Sequence, residues 1–210
     1  MINNLINMIN ENGVGLTLLA YIRNIVNLFY RIFILGNPKM CIDYTARIEG
    51  LRNIVVNNRI YAGKHFWLAS YEHYQNQTFA PKIIFKGTFS ASDFCHIGAT
   101  NYVEIGDNVL FGSKVYVTDH GHGLYSGNGI HSLPGVAPVE RDLNADKQVI
   151  IGDNVWVGDN VVILPGIRIG NGCVIGSNAV VTKDLPANCI AVGIPAKVIK
   201  RYSFTTKKWE

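Results

Sequence analysis

Charge is scarce in this chain, and cysteine is scarcer still. Asp, Glu, Lys and Arg make up 16% of the 210 residues, and the net charge is only +4. No clustered basic stripe is present, so the electrostatic footprint of a nucleic-acid binder is missing. The mild positive balance suits an anionic small molecule or a nucleotide-linked substrate. The four cysteines, Cys41, Cys95, Cys173 and Cys189, are scattered, with no CxxC pair and no metal-ligand spacing. A reducing, cytoplasmic compartment is the simpler expectation.

A long uninterrupted apolar run is also lacking. The stretch LTLLAYIRNIVNLFYRIFIL (16–35) is apolar but broken by Arg23, Asn24, Asn27 and Arg31. Arginines inside the span argue against a bilayer-crossing helix. No small-residue cleavage site marks a signal peptide. Leu18, Leu19, Ile22, Ile25, Val26, Phe29, Ile32 and Phe33 recur at helical spacing, predicting an amphipathic helix that ends near Gly36, before Asn37-Pro38. Its expected role is packing against the body of the protein or a neighbouring subunit. Peripheral attachment at the inner membrane through 16–35 is the sharper alternative.

What the chain has in abundance is a period of six. Val149, Val155, Val161, Ile167, Cys173 and Ala179 form one ladder, and Ile151, Val157, Ile163, Ile169, Ile175 and Val181 form a second. Gly152, Gly158, Gly170 and Gly176 each follow the second ladder by one residue. A helix repeats near 3.6 and a half-buried strand near 2, so neither fits. A solenoid of short strands and tight corners does, with coils stacking to make one continuous core. The period recurs at Val103, Val109 and Val115, and at Ile105, Phe111 and Val117, with Phe85, Ala91 and Ile97 upstream. A weaker block runs through Ile48, Ile54, Ile60 and Phe66, beside Val56, Ala62 and Leu68.

The count fails once inside the strong region. From Val117 to Ile151 is 34 positions, not a multiple of six. Residues 118–148 must therefore contain an extrusion, and such loops in repeat proteins are often functional. This one opens Asp119-His120-Gly121-His122. Two histidines at a solenoid corner are candidates for a general base, since an imidazole titrates near neutrality. His65, His73, His96 and His131 have no comparable context. No Cys or carboxylate lies at a spacing that would complete a metal site with His120 and His122, so no metal is expected.

IGDNVWVGDNVVILPGIRIGNGCVIGSNAVVTKDLP, followed by AVGIPAKVIK, resembles the hexapeptide-repeat acyltransferases. The branch it is most similar to holds the galactoside, maltose and surface-polysaccharide acetyltransferases. The resemblance is strong over about 97–200, weaker over 45–96 and absent over 1–40. It implies a mainly β fold: a left-handed parallel β-helix over 41–200, with an extruded loop at about 119–148. An N-terminal helical segment (1–40) and a short C-terminal helix or tail (201–210) flank it. It also implies a homotrimer with active sites between subunits.

The implied chemistry is transfer of acetyl from acetyl-CoA to a sugar, glycan or nucleotide-sugar acceptor. His120, in VTDH, matches the family's catalytic histidine, with His122 the alternative. The partner that orients the imidazole is expected from an adjacent coil, with Asp93 leading over Ser92 and Asn101. Asp119 is expected to point away. For coenzyme A the matching positions are Trp156 and Gly158 in NVWVG, Ser177, Thr182-Lys183, and Lys197 and Lys200 in GIPAKVIK. Trp156 follows core Val155 by one residue, so its ring should point outward. The loop residues Tyr125, Asn128, His131, Arg141 and Asp142 are candidates for acceptor binding, led by Tyr125 and Arg141. The pattern Ser132, Pro134, Pro138, Arg141 favours the polysaccharide branch. N-acetylation of a nucleotide-linked amino sugar remains an alternative. A non-catalytic scaffold or carbohydrate-binding module is the alternative of another class.

Overall fold

The computed structural model describes residues 2–126 and 129–210, so Asn128 lies outside the described residues. Short parallel strands wind into a three-faced solenoid. The first face stacks Met40–Ile42, Ile60–Ala62, Phe89–Ala91, Val109–Phe111, Trp156–Val157, Val174–Ile175 and Cys189–Val192. The second stacks Arg47–Glu49, Trp67–Ser70, His96–Ala99, Tyr116–Thr118, Val162–Ile163 and Val180–Val181. The third stacks Ile54–Val56, Lys82–Phe85, Tyr102–Ile105, Gln148–Ile151 and Arg168–Ile169.

Register explains the period. Val157 lies beside Ile175, Ile163 beside Val181, and Ile151 beside Ile169. Each pair is three hexads apart, one strand per face. Both ladders from 149 to 181 are buried throughout. The weaker early block is genuine too: Ile54, Ile60, Phe66, Val56, Ala62 and Leu68 are all buried. Early coils are filled by rings, with Phe89 in contact with both Phe85 and Phe111 at 5.0 Å.

The glycine ladder has a different cause from the one its position suggests. The left-handed backbone falls two residues later, at Asn154, Asn160, Gly166, Gly172 and Asn178. At Gly158 the constraint is proximity: a Cβ there would stand 2.7 Å from the Ser177 amide nitrogen of the next coil.

Two segments leave the solenoid, not one. Besides 119–147, residues 71–81 form a hairpin in which His73–Tyr74 pairs antiparallel with Gln77–Thr78. The two excursions are tied together. Tyr74 Oη donates to the Val139 carbonyl at 2.5 Å, and Gln77 exchanges hydrogen bonds with the Leu143 backbone at 2.7 and 3.1 Å.

Both ends differ from expectation. The N-terminal helix runs Ile2–Phe29, broken at Gly13, and continues as a π-helical turn over Tyr30–Ile34. Its apolar stripe does not pack on the solenoid. Arg23, Asn27 and Arg31, one turn apart, face inward instead: Arg23 grips Asp43 at 2.6 and 2.8 Å, and Asn27 Oδ1 accepts the Tyr44 amide at 2.8 Å. The C-terminus is strand, not helix. Lys197–Ser203 turns back antiparallel onto Cys189–Val192, and Lys208–Trp209 adds one more strand. The open edge left by the last coil presents unpaired backbone groups, and this return satisfies them.

Candidate active site

A cavity of about 280 Å3 opens where the second face meets the two excursions. His120 and His122 both line it. His120 follows the strand Tyr116–Thr118, at the point where the chain leaves the solenoid. Gly121–His122 pairs antiparallel with Leu143–Asn144, which fixes the base of the loop.

His120 Nδ1 lies 2.9 Å from Asp119 Oδ1. Asp119 is fully buried. Its carboxylate also accepts the backbone N–H groups of Thr100 (2.9 Å), Asn101 (2.8 Å) and Tyr102 (2.8 Å), and the Thr100 hydroxyl (3.1 Å). An ionised carboxylate only accepts, so Nδ1 carries the imidazole proton and Nε2 keeps its lone pair. Among the described residues none hydrogen-bonds Nε2, and the ring stands edge-on to Tyr71 at 5.8 Å. An imidazole on a cavity wall with Nδ1 on a buried carboxylate has the arrangement that a general base requires.

This overturns the choice of Asp93. Its carboxylate accepts the Lys64 amide at 2.7 Å and lines a separate cavity beneath the N-terminal helix. Ser92 offers no contact to His120 either, its amide going to the Phe111 carbonyl at 3.1 Å. Asn101 contributes, but to the carboxylate. Asp119 does not point away: the turn after Thr118 swings it inward onto three successive amides.

His122 has a weaker partner. The Tyr74 hydroxyl, whose proton goes to Val139, receives His122 Nδ1 at 3.2 Å. A neutral phenol gives an imidazolium less support than a carboxylate does.

The spacing argument missed a column of side chains. Trp67, His96 and Tyr116 lie in register on the outer side of the second face. The His96 ring stacks on Trp67 at 4.0 Å, and the Arg47 guanidinium covers the other face of that indole at 4.3 Å. Trp67 Nε1 and His96 Nε2 are buried without a hydrogen-bond partner, and both residues line the cavity. Burial, with help from neighbouring His120 and Arg47, pushes the His96 imidazole down to about 4. Burial likewise pushes the Tyr71 hydroxyl up to about 12. His73 and His96, set aside on sequence, therefore belong to the site. The break in the six-residue count between Leu68 and Phe85 was the signal for the hairpin.

Other expected residues lie elsewhere. Trp156 is 54% exposed on the first face, as its place beside Val155 required. Ser177 sits under Gly158, its hydroxyl accepting the Asp159 amide at 3.2 Å. Thr182, Lys183, Lys197 and Lys200 are exposed near the C-terminal coils. Tyr125 and Arg141 do not reach the cavity. Arg141 donates to Tyr125 Oη (2.7 Å) and to the carbonyls of Val136 (2.9 Å) and Pro134 (3.1 Å). Its guanidinium is used to brace the loop, which corrects its assignment to acceptor binding. Among the described residues, no three His, Cys, Asp or Glu side chains converge as metal ligands.

Comparison with known proteins adds three findings. Residues 148–183 match the family model of the bacterial transferase hexapeptide, six repeats. WbbJ of Escherichia coli (strain K12), provisionally named a lipopolysaccharide biosynthesis O-acetyl transferase, is 43% identical over 128 residues, 61% of this chain. That match spans 65% of the relative's own length. A single-site mutant of AntD, an N-acyltransferase from Bacillus cereus in complex with dTDP and coenzyme A, superposes with a TM-score of 0.61 over 80% of this chain and 82% of its own, at 20% identity. That likeness carries the fold. Stacked hexads on three faces and the repeats matched over residues 148–183 lead to one conclusion about the fold: it is the left-handed parallel β-helix of hexapeptide-repeat proteins.

Proposed function

We propose that the protein transfers acetyl from acetyl-CoA to a hydroxyl of a sugar or glycan precursor in surface-polysaccharide synthesis. The observation that carries this reading is the buried Asp119–His120 pair on the cavity wall. A sugar hydroxyl is a poor nucleophile until its proton is being removed. His120 Nε2 takes that proton as the oxygen attacks the thioester carbonyl, and Asp119 holds the imidazolium that forms. The tetrahedral oxyanion needs a donor, for which a backbone N–H at a solenoid corner suffices. Collapse expels the coenzyme A thiolate, which recovers the proton from His120. General-base help of this kind is worth roughly 10²–10⁴-fold.

The acceptor is assigned to the cavity lined by Trp67, His96 and Tyr116 beside His120. Coenzyme A is assigned to the groove near Trp156, Gly158 and Ser177, its phosphates to Thr182, Lys183, Lys197 and Lys200. Trp156 and His120 stand on different faces of one chain. A homotrimer, with one subunit's first face beside the next subunit's second face, would join them. The relation to WbbJ favours a hydroxyl acceptor. So does the dyad, because a neutral amine would need less base catalysis. The setting is the cytoplasm, where acetyl-CoA is available.

The test is coenzyme A release from acetyl-CoA with simple sugars, oligosaccharide fragments and nucleotide-linked amino sugars. Turnover with a hydroxyl acceptor, lost in His120→Ala, supports the reading. Turnover only with amino sugars would move the reaction to N-acetylation. Failure to bind acetyl-CoA at all would leave a scaffold.

A further inference from the structure

We infer that the N-terminal helix docks the protein on an anionic lipid bilayer. This goes beyond acyl transfer and does not rest on it. The helix is inside out for a soluble protein. Its polar stripe, Arg23, Asn27 and Arg31, is turned onto the first coil, where Arg23 pairs with Asp43 and Arg31 Nη1 reaches Cys41 Sγ at 3.0 Å. Its apolar arc faces outward. Ile22, Ile25, Phe29, Ile32 and Phe33 are 45–69% exposed. Of the arginines that seemed to forbid lipid contact, Arg23 is thus ion-paired within the protein and Arg31 is turned away from the apolar arc.

Residues 14–34 cover about 30 Å of helix, and the apolar arc extends along all of it. A face of this size left to water would be a liability for a soluble monomer. The bonds to Cys41, Asp43 and Tyr44 tie Arg23, Asn27 and Arg31 of this half to the first coil. The geometry is therefore that of an interfacial helix and not of a span.

Charge selects the occupant. Residues 1–66 carry seven Lys and Arg against three acids, a net +4 that equals the charge of the whole chain. Residues 67–210 therefore balance to zero. The excess sits on the helix and the first coils, where Lys39, Arg59 and Lys64 are exposed. A cavity of about 470 Å3 beneath the helix is lined by Arg23, Arg31 and Lys64, with Asp43 and Asp93 also on its wall. Arg31 Nε is buried there without a partner. An apolar arc on the part of the chain that carries the whole net positive charge matches a bilayer with anionic headgroups, whose surface potential attracts such residues.

The experiment is flotation of the full chain with vesicles of phosphatidylcholine alone or with 30% phosphatidylglycerol (roughly the anionic share that gives a strong surface potential). The expected result is binding to the anionic vesicles, weaker to the neutral ones, and weakened further by salt. The double substitution Ile25→Asp, Phe29→Asp should lower partitioning by about a hundredfold, with the circular-dichroism spectrum unchanged. No flotation of the unmodified chain overturns the proposal. So does equal flotation of the double variant. Sedimentation velocity covers the remaining occupant: if the double variant breaks an oligomer that the unmodified chain forms, and vesicle binding is absent, the face belongs to a second copy and the proposal falls.

Discussion

Asp119→Asn isolates what orients the base. The two carboxylate oxygens have unequal neighbours. Oδ2 accepts the Asn101 and Tyr102 amides, both at 2.8 Å, and neither can give up its hydrogen. Oδ1 accepts the Thr100 amide, the Thr100 hydroxyl and His120 Nδ1. An asparagine amide must put its NH2 on one side. On the Oδ2 side it would strand two backbone donors. On the Oδ1 side it displaces one, the Thr100 amide, which keeps a longer 3.2 Å bond to the other oxygen, because the hydroxyl can rotate and the imidazole can exchange tautomers. The second arrangement wins. Weakening that one buried bond costs about 1 kcal/mol of stability. The catalytic cost is larger: with Nδ1 now accepting, the proton moves to Nε2 and the base is lost, for a fall in kcat of roughly 10²–10⁴. Long-range 1H–15N correlation spectra on histidine-labelled protein read the tautomer directly, without any acceptor. The unmodified chain should show Nδ1–H at His120, and the variant Nε2–H. An Nε2–H tautomer in the unmodified chain would refute the reasoning, as would a variant that keeps both its tautomer and its turnover.

His122→Ala should cost less than about tenfold in kcat, against roughly 10²–10⁴ for His120→Ala, because only His120 has a buried carboxylate behind it; steady-state coenzyme A release compares them. His96 is held neutral, near 4 against an ordinary 6.5. As pH falls from about 6.5 to 4 the unfolded chain takes up that proton first, so stability should be lost in that window and none above it. Urea midpoints at pH 7.5 and 4.5 should therefore differ less in His96→Phe than in the unmodified chain. Gly158→Ala places a Cβ 2.7 Å from the Ser177 amide nitrogen. Such overpacking costs about 1–3 kcal/mol, and the Tm should drop by about 2–10 °C. An unchanged melting curve would mean the coils can part there at no cost.

The six-residue ladders made the solenoid legible in the chain alone. Each hexad places two residues inward by local geometry, so the two ladders from Val149 to Val181 could be assigned to the core without knowing any neighbour. The break after Val117 likewise announced the extrusion and put His120 at its root. Tertiary structure decided everything that depends on which coil lies beside which. Asp119, not Asp93, orients the histidine because the turn after Thr118 meets the amides of Thr100, Asn101 and Tyr102 in the coil below. Tyr74 reaches Val139 across 65 positions of sequence, and His96 reaches Trp67 only through strand register. The same holds for the N-terminal helix: its spacing marked an apolar face, but only the bond from Arg23 to Asp43 shows that this face looks away from the protein. Periodicity is a property of consecutive residues. Contacts across coils are set by the summed lengths of the excursions between them, and no short stretch of sequence contains that sum.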